Sequence, residues 1–200
     1  MKKIEIFSKG IYIVQDEIGL YGLESEKGYI ILEAKYRYIG CIVNGRAEVI
    51  QKGKYGLIDE EGKIIVPCIY KEIYPFVSGV SCVELGKKFG YIDEYGKAIT
   101  DAIFDRASIK FTNGFAEVAI NDKWSYLDRT GKIICDFVYD SAYPFTNQKL
   151  AIVTKNGNFG VLNEQGKEVI ECKYGSVKIA EVGSKAQIYL GKNEVVEINI

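Results

Sequence analysis

Two hundred residues, 48% of them hydrophobic and 26% charged, make an ordinary globular chain rather than a disordered one. A chain of this length buries roughly 70% of the surface that its unfolded form exposes. A net charge of -1, from 26 basic and 27 acidic residues well interspersed, points away from nucleic acid and from anionic membranes as partners.

The first 20 residues read as an N-terminal cap. Lys2 and Lys3 are followed by Glu5 and by Ser8-Lys9-Gly10, which interrupt any apolar core, so no secretory signal is expected. No apolar run approaches the ~20 residues that span a bilayer, and a cytoplasmic protein is expected. Ile11 to Val14 forms a short strand.

From residue 21 the chain repeats itself. An aromatic–Gly pair recurs as Tyr21-Gly22, Tyr55-Gly56, Phe89-Gly90 and Phe159-Gly160, with Trp124-Ser125 as the one departure. The steps are 34 or 35 residues. Six residues after each pair comes a glycine: Gly28, Gly62, Gly96, Gly131 and Gly166. Eight residues further comes an aromatic: Tyr36, Tyr70, Phe104, Tyr139 and Tyr174. About five repeats therefore fill residues 21–174.

The second repeat serves as the pattern. Tyr55 to Asp59 predicts a short strand, and Asp59-Glu60-Glu61-Gly62 a type I turn closing on a left-handed glycine. Asp93, Asp128 and Asn163 open the equivalent turns. Lys63 to Val66 predicts a second strand, limited by Pro67, which cannot donate a ladder bond. An irregular segment holding Tyr70, Tyr74, Pro75 and Phe76 follows; its counterpart holds Tyr139, Tyr143, Pro144 and Phe145. Val80 to Leu85 predicts the third strand. Lys52-Gly53, Gly86-Lys87, Asn121-Asp122 and Asn156-Gly157 are hairpin turns into the next repeat. The two extra residues fall between Phe104 and Phe111 and between Phe145 and Phe159, in loops or turns where insertion costs little. Residues 175–200 read as a C-terminal cap hairpin, with Gly191-Lys192 at its turn, Val195 to Ile200 as its last strand, and Asn193-Glu194 in the aromatic–Gly slot.

The expected fold is all-β: tandem three-stranded antiparallel meanders in an open twisted array, with a closed propeller-like or barrel-like ring as the alternative. The longer connection is expected between the second and third strands.

The aromatic–Gly start, the Ile/Leu-Asp-x-x-Gly-Lys turn and the Tyr-Pro-Phe loop resemble the WG-repeat (KWG) family. Tyr55 to Lys63 and Phe89 to Lys97 carry the resemblance best, and it covers about residues 20–175. Trp124 is the chain's one tryptophan, and Ser125 there replaces glycine. The resemblance implies a largely bacterial repeat family used for binding or scaffolding, with no catalytic residues to carry over.

The residues themselves agree with a non-catalytic role. The chain has no histidine, so Cys–His and Ser–His–Asp mechanisms are excluded by composition. The five cysteines are odd in number and form no C-x-x-C, so neither a disulfide framework nor a zinc site is expected. Cys68 and Cys172 share one slot and read as buried thiols. Asp59, Asp93 and Asp128 recur as turn residues rather than as facing acid–base pairs. Lys63, Lys97, Lys132 and Lys167 form a solvated edge that discourages sheet aggregation. The aromatic–Gly pair could be a stacking platform, but a glycine that makes room for an aromatic on the neighbouring strand explains it without a ligand. No phosphate loop, cofactor motif or metal site is present. The candidate interface residues are Tyr74, Phe76, Tyr143 and Phe145, aromatics on long connections. An interaction or scaffolding module with an unidentified protein partner is expected; the alternative binds a small molecule or glycan with aromatics between repeats.

Overall fold

The computed structural model describes residues 1–182, 185–191 and 194–199. Among them all regular structure is β, and no helix is long and apolar enough to cross a membrane. The expectations placed on Lys192, Asn193 and Ile200 lie outside the described residues.

The strands make small antiparallel sheets. The first joins β1 (Lys2–Ser8), β2 (Ile11–Gln15), β3 (Tyr21–Ser25) and β4 (Ile30–Tyr36) in chain order. The second joins β5 (Tyr38–Ile39), β6 (Arg46–Gln51), β7 (Lys54–Asp59) and β8 (Ile64–Tyr70). The third has β9 (Glu72–Ile73), β10 (Val80–Leu85), β11 (Lys88–Asp93) and β12 (Ala98–Phe104). The fourth has β13 (Arg106–Ala107), β14 (Phe115–Ile120) and β15 (Lys123–Asp128). The fifth has β16 (Ser141–Ala142), β17 (Leu150–Lys155), β18 (Asn158–Asn163) and β19 (Glu168–Tyr174). The sixth has β20 (Val177–Val182), β21 (Lys185–Leu190) and β22 (Glu194–Asn199). By packing, the chain divides into two compact units: Met1–Lys87 with Tyr91–Ala98, and Lys88–Gly90 with Ile99–Ile200.

The fold is all-β and antiparallel, as expected, but its sheets straddle the sequence repeats. The third strand of one repeat pairs with the aromatic–Gly strand of the next: Val49 lies opposite Gly56, and Val153 opposite Gly160. The long connection, expected inside a meander, therefore leads from one sheet to the next. It also contributes a two-residue edge strand (β5, β9, β13 or β16), which makes the second, third and fifth sheets four-stranded.

The strand expected to stop at Pro67 runs on to Tyr70. A bulge makes this possible. Tyr55 pairs with Tyr70 but Leu57 pairs with Val66, so the segment around Pro67 and Cys68 arches over Gly56 and needs no ladder donor there. A Cβ on Gly56 would lie 2.6 Å from Val66 O and 2.9 Å from Cys68 N. This close approach is the reason for the aromatic–Gly pair. Where Ser125 replaces the glycine, the neighbouring segment 133–139 keeps only the isolated bridges Trp124–Tyr139 and Leu127–Ile133. The Ser125 hydroxyl donates to the Cys135 carbonyl at 2.5 Å and occupies the gap.

The middle strands are buried on both faces. Within the first unit, Ile58 packs with Leu23, Leu32 and Ile13 of the first sheet, while its neighbour Leu57 packs with Ile73, Val83 and Ile92 on the other side. Within the second unit, Leu162 packs with Tyr126 and Tyr139, and Val161 with Ile188 and Ala186. Alternation along one strand thus sends successive side chains into two different cores.

The Asp turns form as expected. The Lys63 N–H donates to the Asp59 carboxylate at 2.7 Å and the Glu61 N–H at 3.2 Å. Asp93, Asp128 and Asn163 do the same, and the Ser25 hydroxyl takes the slot in the first repeat. The closing glycine has a second duty. Gly166 has φ of +75°, and a Cβ there would run into the carbonyl of Ile134, in the bridged segment that follows β15. Gly166→Ala is expected to cost about 2–4 kcal/mol, from positive φ plus overpacking, in urea unfolding. Gly175→Ala, with nothing within 4 Å, is expected to change stability by less than about 0.5 kcal/mol.

Candidate binding groove

One slot occurs at both of the long connections that carry Tyr-Pro-Phe. Its floor is the first and third residues of one third strand together with the central residue of the aromatic–Gly strand beside it. Its wall is the Tyr-Pro-Phe loop of the following repeat. In the fourth repeat the slot is full. Phe115 stacks on Phe145 at 4.2 Å between ring centres, and Tyr126 meets the same ring edge-on at 4.9 Å. The Tyr126 hydroxyl donates to the Tyr143 carbonyl at 2.7 Å, and Phe145 is 2% exposed.

In the second repeat the corresponding floor is Arg46, Glu48 and Leu57. Leu57 is far shorter than Tyr126, and Arg46 replaces Phe115. The result is a groove of about 420 Å³, lined by Val43, Arg46, Glu48, Leu57, Glu72 and the Ile73–Phe76 loop. That volume suits a bound ligand or peptide segment. The turn Val43-Asn44-Gly45-Arg46 forms one end, with φ of 51° at Asn44 and paired backbone hydrogen bonds between Val43 and Arg46. The wall is held by Tyr74 N–H to the Cys82 carbonyl (2.9 Å) and by the Ser81 hydroxyl to the Tyr74 carbonyl (2.5 Å).

Charge in the groove is uneven. The Arg46 guanidinium lies 4.8 Å from the centre of the Phe76 ring and 3.4 Å from the Glu94 carboxylate, so it is already engaged. Glu48 on β6 and Glu72 on β9 have no ion pair among the described residues. Burial, and then the charge of Glu72, push the Glu48 carboxyl above the usual range. A second groove of about 410 Å³ shares Arg46 and adds Asp59, Lys63, Glu94 and Tyr95; there the Asp59 carboxylate is occupied by its own turn.

The four residues singled out from sequence thus part company. Tyr74 and Phe76 are half-buried in an open groove. Phe145 is core, and Tyr143 is exposed beside it. Sequence reasoning missed Arg46, Glu48, Leu57 and Glu72. The signal for them was present in the repeat columns, where Leu57 stands against Tyr91 and Tyr126, and Arg46 against Val80, Phe115 and Leu150.

The thiols of Cys68, Cys82, Cys135 and Cys172 are held away from the nucleophilic thiolate. Burial pushes Cys82 up to about 12 and Cys172 up to about 11, away from the thiolate. All five cysteines are unpaired. Among the described residues no group of three or more His, Cys, Asp or Glu side chains is placed to hold a metal.

Fold and slot together define a protein built from repeated small antiparallel β-sheets that follow one another along the chain. The WG containing repeat matches residues 21–55, 55–89, 89–124, 124–159 and 159–179, and the chain belongs to that family. No curated protein sequence matches it. Among solved structures it is similar to Hsv2 of Kluyveromyces lactis, with a TM-score of 0.40 and 12% identity over 96% of this chain and 71% of that one. It is also similar to a eukaryotic initiation factor, with a TM-score of 0.44 and 8% identity over 94% of this chain and 58% of that one. The WD40 domain of SCAP from fission yeast gives a TM-score of 0.33 and 7% identity, over 94% and 61%.

Two measurements check the slot. Phe145→Ala is expected to cost about 3–5 kcal/mol in urea unfolding, as for a buried aromatic, and Phe76→Ala about 1 kcal/mol. Glu48→Gln is expected to raise the melting temperature at neutral pH. A carboxyl whose folded pKa is raised binds its proton more tightly when folded, so it weakens the fold once pH climbs above its unfolded value. The gain should shrink as pH is lowered through that range.

Proposed function

We propose that this chain is a non-catalytic repeat protein that binds a segment of another polypeptide in the groove formed by β6, β7 and the Tyr74–Phe76 loop. The observation that carries the reading is the contrast between two equivalent slots. One is filled by Phe115, Tyr126 and Phe145; the other is left open by Arg46 and Leu57 while keeping its aromatic wall. An apolar patch of Leu57 and Ile73 and an aromatic wall, flanked by the charged Arg46, Glu48 and Glu72, is the pattern of an interface anchor site. The two-residue turn and the loop hydrogen bonds hold the groove in shape before any partner arrives, which lowers the ordering cost of binding. The unpaired cysteines suit a reducing compartment such as the cytoplasm.

The test places a photo-crosslinking phenylalanine analogue at Val43, on the groove rim, in the full chain expressed in cells. The expected result is one dominant polypeptide adduct, lost on Leu57→Tyr, which fills the groove in the manner of Tyr126 while the fold is retained. An adduct unaffected by Leu57→Tyr, or a ligand that is a glycan or small molecule, would overturn the reading.

A further inference from the structure

We propose that the groove selects a cationic side chain, so that its occupant is a basic polypeptide segment whose lysine or arginine sits between Glu48 and Glu72. This deepens the groove reading above and rests on it. Two carboxylates reach the same groove from different strands, β6 and β9, over a floor of Leu57 and Ile73. The cations at hand are spent. Arg46 is taken by Glu94 and the Phe76 ring, and Lys71, next to Glu72 in the chain, holds Glu84 at 2.6 Å. Two like charges on partly buried walls repel, and an incoming cation relieves that repulsion while its methylenes lie on the apolar floor. Burial first, and then this same repulsion, holds the Glu48 carboxyl above the usual carboxylate range. An acidic or purely apolar segment would gain nothing from either carboxylate and would leave both desolvated and unpaired.

Glu72 on β9 acts on Glu48 across the groove, which Arg46 lines from Glu48's own strand, Tyr74 from the loop and the uncharged Leu57 from β7. Cation binding should therefore weaken as pH falls and Glu48 takes up its proton.

The experiment measures fluorescence anisotropy of the full chain with short Ser-Gly peptides carrying paired arginines, paired glutamates or paired leucines. The arginine peptide should bind in preference to the others and weaken with added salt. Glu72→Gln should weaken it about tenfold, the scale of losing one hydrogen bond to a charged group. Glu48→Gln should weaken it too while raising the melting temperature, so loss of binding cannot be loss of fold. Equal binding of the leucine peptide, or arginine affinity untouched by both carboxylate substitutions, overturns the inference. If the Val43 adduct still disappears with Leu57→Tyr in that case, the groove stands and only its charge preference fails.

Discussion

Middle strands such as β7 and β18 must be buried on two sides at once. Leu57 and Ile58 are neighbours in sequence, point opposite ways, and are both almost fully buried, so a single sheet cannot satisfy them. Within each unit the requirement makes neighbouring sheets pack face upon face, and it dictates which positions must be small. Gly56 lets the bulged neighbour strand close in, and Gly166 lets a turn press on the backbone at Ile134 in the preceding repeat. A β-hairpin of this length is marginal alone; its stability comes from the two faces it shares.

The first sheet shows the same rule by exception. The slot held by Ile58, Ile92, Leu127 and Leu162 is Glu24 in the first repeat. Lys3 lies 3.9 Å from the Glu24 carboxylate and 4.3 Å from the Tyr12 ring centre, so an ion pair and a lysine stem cover the face. In the last sheet the Gln187 side chain bridges Glu197 and Tyr189. Polar cover at these positions keeps a sheet face from acting as a sticky apolar surface.

Strands, turns and repeat starts were legible because each depends on local chemistry: alternation, Asp-x-x-Gly, and two-residue polar turns. The grouping of strands into sheets was not. A periodic sequence marks its hairpins but has no privileged starting point, so both sides of Lys52-Gly53 read as parts of separate repeats although Val49 and Gly56 face each other. Pro67 was read as a stop because the bulge that frees it from the ladder depends on Gly56, eleven residues earlier and on another strand. The Tyr-Pro-Phe motif shows the limit most clearly. Phe76 and Phe145 carry the same local signature, and their fates are decided by residues of the preceding repeat, Arg46 and Leu57 in one case, Phe115 and Tyr126 in the other.

That dependence is also what allows one repeat to specialise. The structural duties of a repeat fall on its glycines, its Asp turn and the residues packed on both faces of its middle strand. The slot under the Tyr-Pro-Phe loop shares one of these positions, Leu57 or Tyr126, and opens when a shorter side chain stands there and still packs in the core. Emptying it has a cost: contacts like those between Tyr126 and Phe145 are given up, and Glu48 is left in a setting that disfavours its charge. A site where the sequence accepts lost packing and an unpaired carboxylate together departs from local stability in two independent ways. Both departures are repaired by one event, the arrival of a chain that brings apolar surface for the floor and a positive charge for the two glutamates.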